Sequence, residues 1–234
     1  MNTSILTCGL LFFSFCLNAA GAGVSGRVLL RGTPPPERVI EMTADCAAAQ
    51  ERPPTTRHYT VDRDGGLANV FVVIRSGLKG KTFTPPTTAV SMECVACQIQ
   101  PYVVAVQTGQ TIRFHNNSSF LENLHFTPKL NRERNFALGL KRTSLATTFD
   151  LPEDFIPIKG DAHPWFFGYV CVVDHPFFAV TGADGRFQFP NGLPDGSYTL
   201  EALHLKAGSA KKEIVVRAGR NDPIAFALEV PVRK

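Results

Sequence analysis

The chain has 234 residues, a formal net charge of +4 and 19% charged residues. That length holds one large or two small domains, and so mild a charge argues against a nucleic-acid partner without naming another. Glycine and proline are frequent, at 19 and 17, while long runs of Leu, Glu and Lys are scarce, which points to strands and turns.

Ile5 to Leu17 is apolar and uncharged but shorter than the roughly 20 residues needed to span a bilayer. The small residues Ala19 to Gly23 follow, and Ala20-x-Ala22 suits signal-peptidase cleavage, although no Lys or Arg precedes the run. Neither Cys8 nor Cys16 follows a lipidation pattern. The expectation is a signal peptide over 1–22 and an exported mature chain, periplasmic or extracellular, with no membrane span after cleavage. Cys46, Cys94, Cys97 and Cys171 remain. An even count in an oxidising compartment favours disulfides, with three pairings open.

Val24 to Leu30 reads as a first strand, ended by Gly32 and Pro34-Pro35-Pro36. A short helix fits Thr43 to Gln50. Asp62 to Gly66 is a turn, and Ala68 to Arg75 is a strong buried strand. Tyr102 to Thr108 and Thr111 to Asn116 flank Gly109-Gln110, which reads as a tight turn between strands. His115 falls on the solvent side of the second strand by alternation. Residues 117–145 carry few strand signals and read as a long, basic, irregular excursion. Strands resume at Ala146 to Leu151, Tyr169 to Asp174, Phe177 to Thr181, Arg186 to Phe189, Ser197 to Leu203, Lys212 to Arg217 and Ile224 to Glu229. Ala183-Asp184-Gly185 and Pro194-Asp195-Gly196 supply hairpin turns. Short strands at this spacing make an all-β sandwich architecture.

Two histidines stand on polar, aromatic-rich segments: His125 in Glu122-Asn123-Leu124-His125-Phe126, and His163 in Gly160-Asp161-Ala162-His163-Pro164-Trp165-Phe166. Loops at one end of a sandwich can bring such a pair onto a metal ion. Cys94-x-x-Cys97 has no second pair for zinc and opens no helix, so disulfides explain it more simply. No catalytic triad, paired-carboxylate cleft or phosphate loop stands out, and the expectation is a non-enzyme.

Gln100-Pro101-Tyr102, Asn123-Leu124-His125, Thr148-Phe149-Asp150, Ala162-His163-Pro164-Trp165 and Val173-Asp174-His175-Pro176 carry a family resemblance. The stretch Cys97 to Asp174 resembles the plastocyanin-like, or cupredoxin, domain of bacterial exported proteins of the methylamine utilisation type. That resemblance implies a copper ion held by two His, a Cys and a Met. His125 and His163 match the imidazoles, whereas Gly160 stands at the thiolate position and Phe166 at the thioether position. Phe177 to Leu228, with Asp184-Gly185-Arg186-Phe187 and Gly192-Leu193-Pro194-Asp195-Gly196, resembles the transthyretin-like sandwich of carboxypeptidase regulatory domains. The N-terminal strands look like its first half.

The expected fold is therefore a cupredoxin-like Greek-key sandwich plus a small transthyretin- or Ig-like sandwich. The cupredoxin-like part is expected over 93–175, inserted in a discontinuous unit of 23–92 and 176–234, with a simple tandem arrangement as the alternative. The expected function is an exported binding or scaffold protein with a degenerate copper site, no cofactor, and an unidentified protein or small-molecule partner. The alternative is a periplasmic copper-binding or electron-transfer protein that binds copper weakly through His125 and His163. The preferred disulfides are Cys46 with Cys97, which would clamp the start of the inserted region, and Cys94 with Cys171.

Overall fold

The computed structural model describes residues 23–140, 143–217 and 221–231; the signal-peptide expectation for 1–22 lies outside them. The chain opens with β1 (Ser25–Arg31), helix α1 (Ala44–Ala48) and β2 (Phe71–Ser76). A central run follows: β3 (Val90–Val95), β4 (Gln98–Gln100), β5 (Val103–Gln107), β6 (Ile112–Asn116), β7 (Glu122–Phe126), β8 (Arg134–Leu138), β9 (Thr143–Thr147), β10 (Glu153–Lys159) and β11 (Phe167–Val173). It closes with β12 (Phe178–Val180), β13 (Arg186–Gln188), β14 (Gly196–His204), β15 (Gly208–Val216) and β16 (Ile224–Glu229). The class is all-β, as expected.

These strands make two sandwiches. The first packs β13-β1-β16 against β12-β2-β14-β15 over a core that includes Val28, Leu67, Val72, Phe189, Tyr198 and Phe226. The second packs β5-β11-β10-β7-β8 against β4-β3-β6-β9 over Met92, Phe114, Leu124, Phe126, Phe149 and Phe166. A third apolar cluster, with Phe71, Val73, Val103, Cys171 and Val173, joins the two.

That joint explains why β2 and β11 have unbroken apolar runs. Successive strand residues point to opposite faces, and both faces of these strands are covered. In β2, Val72 and Ile74 face the first core while Phe71 and Val73 face the joint. In β11, Val170 and Val172 face the second core while Cys171 and Val173 face the joint. Arg75 crosses the same boundary, with Nη2 2.5 Å from Asp154 Oδ2 and Nε 2.8 Å from Glu201 Oε2.

The expected pairing of Cys94 with Cys171 is overturned by this alternation. Cys94 lies in the second core and Cys171 on the opposite face of its sheet, and both are free buried thiols. Cys46 and Cys97 do form a disulfide. The turn signals also need correction. Gly109 has a positive φ of 78° and does turn the chain, but β5 and β6 lie in opposite sheets. The turns at Asp184-Gly185 and Asp195-Gly196 likewise pass the chain between the two sheets of the first sandwich.

The stretch 117–145, expected to be irregular, contains β7, β8 and the start of β9. The turn between β7 and β8 is organised by Glu153, whose carboxylate accepts the backbone N–H groups of Lys129, Leu130 and Asn131 at 2.5, 3.0 and 3.1 Å. Burial raises the Glu153 pKa, but these donors and the Asn131 amide outweigh it and hold the carboxyl below its usual range. Glu153→Gln replaces one acceptor oxygen by a donor. Amide exchange at Lys129 to Asn131 is then expected to quicken on the order of tenfold, since charged hydrogen bonds of this kind contribute about 1.5 kcal/mol or more. Exchange unchanged at these amides would show that the turn is held by something else.

Between β1 and β2 the chain leaves the first sandwich and runs along the second. Arg57 donates to Ile99 O and Phe167 O at 3.0 Å each and lies 4.3 Å over the Tyr102 ring. Gln50 Nε2 donates to Ala96 O, and the Cys46–Cys97 bond completes the fastening.

Candidate functional site

Three pieces of chain meet at one end of the second sandwich: β7, the loop 160–166 between β10 and β11, and the β3–β4 hairpin with α1 over it. The hairpin turns on two residues, Ala96 and Cys97, both left-handed at φ 47° and 57°. Paired positive φ values suit a two-residue hairpin, yet neither residue is the glycine that adopts them at least cost. Cys97 is thereby placed at the tip, where Cys46 reaches it from α1.

Asn123 fastens the 160–166 loop to β7. Its Oδ1 accepts from the backbone N–H of Asp161 at 2.7 Å and of Ala162 at 3.2 Å. Inside the loop, Gly160 N donates to Phe166 O and Phe166 N to His163 O, at 3.0 and 2.8 Å. The loop is closed tightly enough that a Cβ on Gly160 would lie 2.8 Å from Phe166 Cβ and 3.0 Å from His163 O. Phe166 is wholly buried in the core.

The strand β7 decides which side chain meets His163. Glu122, Leu124 and Phe126 point inward, and Asn123 and His125 point outward. The inward Glu122, with 0% of its side chain exposed, places Oε2 2.8 Å from His163 Nδ1. Burial pushes its carboxyl above the usual range, and the histidine opposes that shift. The neighbouring Cys94 thiol is pushed up to about 12, by burial first and by Glu122 second. On its other side, His163 Nε2 lies 3.7 Å from Cys46 Sγ, and the imidazole stacks on Trp165 with centroids 5.2 Å apart. Glu122 Oε1 and Trp165 Nε1 are buried with no hydrogen-bond partner among the described residues.

His125 lies outside this cluster. Its Nδ1 is 3.0 Å from Asp161 Oδ1 and its Nε2 is 2.7 Å from Glu133 Oε1. The bond to Glu133, then that to Asp161, raises its pKa, and Asp161 is lowered in turn by His125. Two carboxylates on one ring favour the imidazolium, which has no lone pair for a metal. Among the described residues, the one group of three donors within 4.8 Å of one another is Cys46, Cys97 and His163. Sequence reasoning missed Glu122, and the available signal was the alternation of Leu124 and Phe126 with His125.

Solved structures similar to this chain include amicyanin from Paracoccus versutus, at 19% identity and a TM-score of 0.32, over 43% of this chain and 96% of that one. A purple cupredoxin from Nitrosopumilus maritimus is 17% identical, with a TM-score of 0.31, over 36% of this chain and 98% of its own. A copper-containing nitrite reductase from Thermus scotoductus SA-01 is 18% identical, with a TM-score of 0.32, over 42% of this chain. The chain spans 24% of that reductase's length. No family model matches the sequence, and no curated protein matches it. Among the described residues, no helix is long and apolar enough to cross a membrane.

Proposed function

We propose that the protein is an exported, non-catalytic binding or scaffold module of cupredoxin fold, in which a buried Glu122–His163 pair replaces the copper centre. The observation that carries this reading is the 2.8 Å contact of Glu122 with His163 Nδ1. Blue-copper chemistry needs a thiolate with two imidazoles and a weak axial ligand. Gly160 supplies no donor, Phe166 supplies an apolar ring, and His125 gives both nitrogens to carboxylates. The residues present do not fit a type 1 copper ion. The domain division in this reading keeps 93–175 as the inserted cupredoxin-like part within 23–92 and 176–234. Its partner is a protein or small molecule and not a nucleic acid.

The test is copper loading of the oxidised protein. Added Cu(II) is expected to give no intense visible band, because that band is a sulfur-to-copper charge transfer. The double variant Gly160→Cys, Phe166→Met is expected to stay colourless too, since the inner side of His163 still holds a carboxylate. Adding Glu122→His supplies the missing imidazole and is expected to bring the band up. An intense band in the native protein, or in the double variant alone, would refute the replacement of the copper centre.

A further inference from the structure

Three donor atoms converge on the outer side of His163. Cys46 Sγ, Cys97 Sγ and a His163 ring nitrogen lie within 4.8 Å of one another, and they come from three separate stretches of chain. Glu122 Oε2 stands 2.8 Å from His163 Nδ1, which leaves Nε2 as the ring nitrogen that faces Cys46. That nitrogen faces a disulfide sulfur at 3.7 Å. A carboxylate on one imidazole nitrogen and a lone pair on the other is the arrangement in which metal-ligating histidines are held. The carboxylate here is fully buried and keeps a second oxygen without a partner among the described residues.

We propose that Cys46, Cys97 and His163 form a redox-gated site for monovalent copper, closed by the disulfide and opened by its reduction. Distance supports it. A trigonal ion with sulfur at about 2.3 Å and nitrogen at about 2.0 Å sets sulfur and nitrogen about 3.7 Å apart. Cys46 and His163 already stand at 3.7 Å, so the main movement required is separation of the two sulfurs. Two thiolates and an imidazole suit Cu(I). Structural zinc takes four ligands, and this group offers three among the described residues.

The chemistry balances with a dithiol reductant. One of its thiolates attacks the Cys46–Cys97 bond, a mixed disulfide forms, and the second thiolate releases it. Two electrons and two protons end on Cys46 and Cys97 as thiols, and the reductant leaves as its own disulfide. Cu(I) then displaces both thiol protons to solvent and takes His163 Nε2 as its third ligand, with no change in its oxidation state. Access to the sulfurs is local. The helix α1 is five residues long and, apart from Cys46, exposed throughout, so opening that short segment uncovers the bond. The site shares the Glu122–His163 contact with the scaffold reading but uses neither Gly160 nor Phe166, so Cu(II) loading of the oxidised protein tests that reading and Cu(I) binding by the reduced protein tests this one.

The experiment uses a Cys94→Ser, Cys171→Ser background, reduced without oxygen, freed of reductant and titrated with Cu(I) against a chromophoric chelator. One equivalent is expected to bind the reduced protein and none the oxidised protein. Cys46→Ser and His163→Ala should each weaken binding by at least a hundredfold, and Glu122→Gln by 10- to 100-fold, on the order of other residues that orient a ligand. X-ray absorption of the loaded parent protein should show two sulfurs and one nitrogen around copper, a result that does not depend on the variants folding. Equal binding by oxidised and reduced protein, undiminished binding in folded His163→Ala, or a copper shell without nitrogen would each overturn the proposal.

Discussion

Replacing Cys46 and Cys97 together by alanine is expected to lower unfolding stability by about 4 kcal/mol in the chain-entropy account, since the bond closes a loop of 51 residues. Both sulfurs are fully buried, so part of the loss also comes from packing. Without the bond, the segment just after α1 keeps the Gln50 hydrogen bonds to Ala96 and Gln98. Denaturant unfolding of the double variant beside the parent gives the number. Amide exchange should show the largest loss of protection over residues 44–50. A change below about 1 kcal/mol would mean that Arg57 holds this segment without the bond.

Acidification from pH 6.5 to 4 should remove on the order of 3 kcal/mol of stability through His204 alone, at 1.36 kcal/mol per pKa unit. His204 is buried, and its Nδ1 accepts the backbone N–H of Lys206 at 3.3 Å and of Ala207 at 3.0 Å. Burial, and then the Lys206 charge, lowers its pKa from 6.5 to about 4. A pKa lowered by folding gives stability that is present above the unfolded value and lost as pH falls through the folded one. His175, also lowered chiefly by burial, adds to the same trend. His204→Asn retains an acceptor and does not titrate, so its stability should vary less across this window. A parent and variant with parallel pH profiles would rule out His204 as the source.

The elements that could be read from residues alone are those whose two faces have the same surroundings or alternate cleanly. Phe71 to Ile74 and Val170 to Val173 stood out because both faces are buried. β7 did not, because its inward set includes Glu122 and its outward set includes His125. A carboxylate among core residues reads as solvent-facing until its partner is known, and that partner, His163, lies 41 residues away. Turn chemistry was legible at Gly109, Gly185 and Gly196. Whether each turn pairs its flanking strands or carries the chain to a facing sheet is decided by tertiary packing, and all three do the latter. The same limit misplaced Cys94 and Cys171. Cysteine parity says nothing about which face of a strand each sulfur takes, and these two lie in different apolar clusters.

The segment between β1 and β2 has a consequence for cutting the molecule into modules. It belongs by connectivity to the first sandwich, but Cys46, Gln50 and Arg57 all find their partners between Ala96 and Phe167 of the second. Excising β3 to β11 and rejoining the ends would strip those partners from a piece of chain left behind. The excised run, made alone, would lack the cysteine that closes over His163. The second sandwich completes its surface with residues that precede it in chain order, so it cannot be transplanted along a single pair of cut points without taking the segment 33–58 into account.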